Sequence, residues 1–164
     1  MRSLIAALLL ISTTTAFAES SSARISITIS IPKMTVIKQL ADINFGDWSG
    51  ESSLSREQQL CIWASTGYYS LSIASSNPTD GTLNMRSEDG ESLLGYGVSW
   101  NDGRGYKQLE HGVLSENLQS SPVPNCESSE GIFSHMRLDI DRSSLMEANP
   151  GEYQDTLEFQ IIAE

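Results

Sequence analysis

Apolar and polar positions alternate with a period of two in several short windows of this 164-residue chain. The cleanest covers residues 24–31: Ile25, Ile27, Ile29 and Ile31 fall on one face, with Ser26, Thr28 and Ser30 on the other. Side chains of a strand point alternately to its two faces, so this spacing predicts a half-buried β-strand. Pro32 ends it, having no N–H to give a ladder. The last window repeats the pattern. After the turn at Pro150 and Gly151, the residues Tyr153, Leu157, Phe159 and Ile161 occupy odd positions. Glu152, Gln154, Thr156, Glu158 and Gln160 occupy the even ones, and only Ile162 is off pattern. One continuous strand is predicted there. Its far edge is expected to be covered by something else.

Between these windows, residues 34–40 are less regular and lead into Asp42, Ile43, Asn44, Phe45 and Gly46, a short predicted strand with a glycine exit. Residues 48–57, rich in Ser, Gly and acid, read as a loop. Leu60, Cys61, Ile62, Trp63 and Ala64 make an apolar strand. A hairpin-like turn at Ser65, Thr66 and Gly67 leads to the strand carrying Tyr69, Leu71 and Ile73. Turn residues fill 75–81 and 87–91, with a brief strand over 83–86. Leu94, Tyr96, Val98 and Trp100 share one face of the next strand, and residues 101–105 form a hairpin turn by composition. From 106 to 130 the pattern is weak. Met136, Leu138 and Ile140 mark the penultimate strand, and only 144–148 suggests a turn of helix. Short strands separated by turn signals predict an all-β antiparallel sandwich in a single domain.

The N-terminus changes the picture of where this domain resides. Arg2, the apolar run over 4–11 and the Ala16, Phe17, Ala18 triplet form a secretory signal, too short to span a bilayer. Residues 1–18 are expected to be cleaved, leaving 19–164 as the domain. No later segment is apolar enough for a membrane helix, so no membrane insertion is expected. The formal net charge is −11, and one unit more negative without Arg2. Such a surface repels polyanions, which makes nucleic acid and anionic lipid poor partners. In an oxidising compartment Cys61 and Cys126 read as one structural disulfide. Closing so long a loop is worth roughly 4 kcal/mol on the chain-entropy model.

Candidate chemistry is sparse. His111 and His135 belong to no metal-binding pair, and neither a G-x-S-x-G elbow nor a Cys–His constellation occurs. Asp139, Asp141, Ser143 and Glu147 resemble a fragment of a calcium loop but lack its central glycine. The expectation is a non-enzyme with no catalytic residue, metal or cofactor. Trp48 and Trp63 are the candidate ligand contacts, since aromatic faces suit apolar sugar surfaces. Trp100 shares a face with Val98 and Tyr96 and reads as core.

Three stretches carry a family resemblance. Residues 42–46 are similar to the "LDFG/LNFG" motif of the spore coat protein U family, which includes pilins of archaic chaperone–usher pili. Cys61, then Gly67 to Ile73, Met85 and Leu93 to Tyr96 resemble the middle of that family. Pro150, Gly151, Tyr153, Asp155 and Thr156 resemble its closing "P-A-G-x-Y-x-D-T" signature. Two features depart from it: no cysteine precedes the Phe45–Gly46 motif, and no terminal aromatic follows Ile162. The first departure implies a different bridge, with Cys126 as the partner of Cys61.

The resemblance implies an immunoglobulin-like sandwich that lacks a strand, with Phe45, Gly46, Gly151, Tyr153, Asp155 and Thr156 as motif residues. It implies a structural subunit of a surface fimbria, used in adhesion or biofilm. The partners it implies are a periplasmic chaperone, an outer-membrane usher and other pilin subunits. Secretion through the periplasm to the cell surface follows. Ile25, Ile27, Ile29 and Ile31 are then either a strand donated to another subunit or the first strand of their own domain. The alternative function is a self-complete secreted β-sandwich that binds carbohydrate or protein.

Overall fold

The computed structural model describes residues 24–124 and 133–164; the expected signal segment 1–18 and Cys126 lie outside them. The chain divides into two compact units, Met1–Ile31 and Pro32–Glu164. In the second, the strands are β1 (Thr35–Lys38), β2 (Leu54–Ala64), β3 (Tyr68–Ser75), β4 (Leu83–Ser87) and β5 (Leu93–Asn101). They are followed by β6 (Tyr106–Leu109), β7 (Ser115–Gln119), β8 (Ser134–Ile140), a short helix α1 (Arg142–Glu147), β9 (Tyr153–Gln154) and β10 (Leu157–Ala163).

Among the described residues these strands form two antiparallel sheets. The larger runs β1-β2-β8-β5-β4-β9, with β6 also paired to β5, and the smaller runs β10-β3-β7. Their inner faces meet through the residues that the alternation places inward. Leu60, Ile62, Val98, Trp100, Met136, Leu138 and Ile140 come from the large sheet and Tyr69, Leu71, Ile73 and Leu118 from the small one, all buried. Burying one such side chain contributes about 1.5–3 kcal/mol, so this shared layer is what holds the sheets together. The fold is an all-β, immunoglobulin-like antiparallel sandwich.

Several local expectations fail, each for a tertiary reason. Residues 24–31 form no strand: alternation supplies a face, but a strand also needs an edge to pair with. Asp42–Gly46 is no strand either. Asn44 Oδ1 accepts the Gly46 N–H at 2.7 Å with Gly46 at φ 73°, and the Phe45 carbonyl accepts Arg56 Nη2 at 3.1 Å. The expected loop over 48–57 gives way to strand at Leu54, because β8 pairs with β2 from there, with Leu54 opposite Ile140. Residues 65–67 make a corner and not a hairpin. There the Gly67 N–H closes on the Ala64 carbonyl at 3.0 Å, and the chain passes from the large sheet to the small one. The predicted last strand is cut in two, β9 pairing with β4 and β10 with β3. β6 and β7 were hidden in a weak pattern because most of their side chains are exposed.

One polar chain crosses the core. Trp100 Nε1 on β5 donates to Tyr69 Oη at 2.9 Å, and Tyr69 Oη lies 3.0 Å from Ser134 Oγ on β8. The Tyr69 side chain rises from the opposite sheet, so it pins the two layers at one register. Burial pushes its phenol up to about 12. Tyr69→Phe keeps the ring but leaves the buried Trp100 N–H and Ser134 hydroxyl without their partner. The expected loss is about 2 kcal/mol in chemical denaturation.

Candidate functional site

The candidate site is built on β10. It pairs with β3 along its whole length, from Leu157 opposite Ser75 to Ala163 opposite Tyr69. Among the described residues its other edge is unpaired. Glu158, Gln160 and Ile162 face solvent, as alternation requires. The inward residues Leu157, Phe159 and Ile161 pack on the core yet stay only half-buried. Their counterparts Met136, Leu138 and Ile140 on the interior strand β8 are fully covered. The Phe159 ring reaches the Trp100 ring at 6.4 Å between centroids. β1, at the rim of the large sheet, comes close to β10 at the rim of the small one. These two strand edges therefore flank one opening of the sandwich, and the apolar lining of β10 is incompletely covered.

The motif residues shape this strand. Gly151 sits at φ 155°, which opens the turn before β9. Tyr153 is half-buried, and its hydroxyl donates to the Asn149 carbonyl at 2.9 Å, closing that turn. Asp155 occupies the step between β9 and β10 and gathers donors from three elements. Its Oδ1 accepts the Ser76 N–H at 3.1 Å, Ser76 Oγ at 2.6 Å and Asn77 Nδ2 at 3.0 Å. Its Oδ2 accepts Ser75 Oγ at 2.6 Å and Tyr96 Oη at 2.5 Å. The neighbouring Thr156 carbonyl accepts the Ser76 N–H at 3.0 Å. Burial raises the Asp155 carboxyl, but hydrogen bonds from Ser75, Ser76, Tyr96 and the Thr156 amide outweigh it and hold the group below the usual carboxylate range. Burial first, and then Asp155, push the Tyr96 phenol up. Phe45 is half-buried under the guanidinium of Arg56, 5.9 Å from its ring centroid.

The remaining candidates lie elsewhere. Ile25, Ile27, Ile29 and Ile31 are 77–92% exposed and join no ladder. Cys61 is fully buried in β2, and no described cysteine is a free thiol; Cys126 lies outside the described residues. The Trp48 indole N–H closes its own loop on the Ser52 carbonyl at 2.7 Å. Trp63 is half-buried in β2 opposite Val36. Neither lines the shallow surface cavity beside Tyr68 and Ser121 or the one beside Asp42 and Arg56. Trp100 is core, and His111 Nδ1 accepts the Ser75 amide at 3.0 Å. His135 pairs with Glu57 at 2.9 Å on the outer face of the large sheet. Among the described residues no group of three or more His, Cys, Asp or Glu is placed to hold a metal, and no helix is long and apolar enough to cross a membrane.

Set against solved structures, this architecture has relatives. It is similar to a chain of the chaperone–tip adhesin complex of CFA/I fimbriae biogenesis, with a TM-score of 0.58 and 14% identity over 79% of this chain and 41% of that one. It is similar to CfaE, the adhesive subunit of the CFA/I fimbria of enterotoxigenic Escherichia coli, with a TM-score of 0.54 and 10% identity over 73% of this chain and 39% of that one. The CsuC–CsuE chaperone–tip adhesion subunit complex of the archaic chaperone–usher Csu pili of Acinetobacter baumannii reaches a TM-score of 0.49 at 16% identity. That match covers 80% of this chain and 40% of that one. What the chain shares with these structures is the fold, an immunoglobulin-like antiparallel β-sandwich. This chain spans about 40% of the length of the relatives it matches. No family model and no curated protein sequence matches it.

Proposed function

We propose that this chain is a non-enzymatic subunit of a surface fimbria or pilus, of the spore coat protein U kind, completed by a strand from another chain. The observation that carries this reading is the open edge of β10 beside a half-covered apolar lining. A strand added there gains main-chain hydrogen bonds along the edge and places alternate side chains over Leu157, Phe159 and Ile161. An uncovered edge of this length is an aggregation hazard, so a partner is needed throughout the life of the subunit. In the periplasm that partner is a chaperone; at an outer-membrane usher it is the segment carrying Ile25, Ile27, Ile29 and Ile31 of the next subunit. Adhesion or biofilm formation at the cell surface is the role of such a fibre. Cys61 and Cys126 are its structural disulfide, formed during periplasmic transit. A self-complete secreted binder has weaker support, because it needs residues 25–31 laddered into their own sandwich.

Protein taken from its native host and run on SDS gels, unheated and heated, tests the assembly. Wild type is expected to give a ladder that collapses on heating, and deletion of residues 19–31 is expected to leave only monomer. A wild-type monomer in both lanes overturns strand donation and favours the self-complete binder.

A further inference from the structure

The segment 25–31 has a second property that strand donation does not require. It holds no charge, proline or glycine, and its isoleucines are 77–92% exposed. A seven-residue stretch of high β-propensity with this composition is itself a self-pairing strand. Arg24 and the Pro32, Lys33 pair bracket it, and those charges decide which pairing is allowed. Parallel in-register pairing stacks Arg24 on Arg24, like charges face to face, which is unfavourable. Antiparallel pairing centred on Thr28 sets Arg24 opposite Pro32, Ile25 opposite Ile31 and Ile27 opposite Ile29. Ser26 then faces Ser30. Each apolar residue meets an apolar one, and the two chains leave the pair at opposite ends.

We infer that free copies of this chain associate through residues 25–31 of a second copy, antiparallel about a twofold axis at Thr28. A lone two-stranded ribbon is marginal in water, and each ribbon still exposes one isoleucine face. Two ribbons therefore close on each other face to face, which caps the assembly at four chains. The distinction from strand donation is one of symmetry. Donation from one subunit to the next is heterologous and propagates, whereas a twofold pair is isologous and closed. The inference does not rest on donation to β10, since its interface contains no residue of that strand.

Oxidative cross-linking of the purified full chain tests it. Thr28 lies on the axis, so Thr28→Cys meets its own copy, at a Cα separation a disulfide can bridge. Arg24→Cys does not. Under mild oxidation Thr28→Cys is expected to dimerise about tenfold faster than Arg24→Cys, because pairing raises the local thiol concentration. Adding Ile27→Lys is expected to bring the rate down to that of Arg24→Cys. Light scattering of the unmodified chain is expected to plateau at a closed mass with rising concentration. Equal rates at positions 24 and 28, a chain monomeric at every concentration, or growth without a plateau each overturn the inference. Ile161→Lys, checked for fold by circular dichroism, keeps the two readings apart. Self-pairing survives it, and loss of the Thr28→Cys dimer in that background means that the segment is held on β10 instead. Failure of donation alone removes the gel ladder and leaves the Thr28→Cys rate unchanged.

Discussion

Asp155→Ala is expected to lower the stability of the sandwich by about 3 kcal/mol, or roughly 10 °C in Tm. The side chain accepts from Ser75, Ser76, Asn77 and Tyr96. It therefore joins the β3–β4 connection and β5 to the step that carries the chain from one sheet to the other. Removing it leaves the hydroxyls of the buried residues Ser75 and Tyr96 without their acceptor and frees the start of β10. The pH dependence has a definite sign. Hydrogen bonding holds the native carboxyl below the usual range, so its contribution is complete above the unfolded value near 3.9 and is lost as pH falls through the native one. Wild type should weaken below about pH 4, and Asp155→Asn should show a flatter decline there. Denaturation midpoints measured from pH 2 to 7 on both proteins check this, and parallel curves would remove Asp155 from the account. If β10 is the assembly edge, the same substitution also lowers polymer yield, because the edge loses its anchor.

The second large effect is expected at the opposite rim of the small sheet. Asp102, 1% exposed in the β5–β6 turn, accepts Arg104 Nε at 2.8 Å and the Gln119 N–H of β7 at 2.7 Å. Arg104 also reaches the Asn117 carbonyl. Burial raises the Asp102 carboxyl, but the hydrogen bonds from Arg104 and the Gln119 amide, with the charge of Arg104, hold it low. Asp102→Ala removes the buried carboxylate that holds the Gln119 amide of β7 and orients Arg104, and about 3 kcal/mol of stability should go with it. Arg104→Gln acts by a different route. It leaves a buried carboxylate uncompensated, which raises its native pKa, so the deficit against wild type is largest at neutral pH and shrinks in acid. Urea titrations of the two variants at pH 7 and pH 4 separate these routes. A pH-independent deficit for Arg104→Gln would mean that the guanidinium acts only as a packing group.

The candidate site was legible in outline. The alternation of Leu157, Phe159 and Ile161 identified the inner face of the terminal strand, and that face is half-covered along an edge unpaired among the described residues. The closing motif was legible as a pattern but not as a mechanism. Asp155 works through Ser75, Ser76, Asn77 and Tyr96, which lie 59 to 80 positions away in sequence. Residues 35–38, within the irregular stretch 34–40, became β1 because β2 offers them an edge, with Thr35 opposite Ala64. The isoleucines at 25–31 carried the strongest signal in the chain and form no strand.

Period-two patterning determined the all-β class and the inward residues of β3, β5, β8 and β10, and composition determined the turn at 101–105. These depend on side chains a few positions apart, which is the range over which strand geometry acts. Which sheet each strand joins was decided only by the tertiary structure. The corner at Ser65–Gly67 and the break at Asp155–Thr156 have local sequences compatible with a hairpin and with a continuous strand. What settles them is partner choice: β8 takes the edge of β2, while β3 pairs with β10 and β7 in the other sheet. Backbone hydrogen bonds are indifferent to residue type, so the selection falls to the packed core and to a few buried polar anchors such as Tyr69, Asp102 and Asp155.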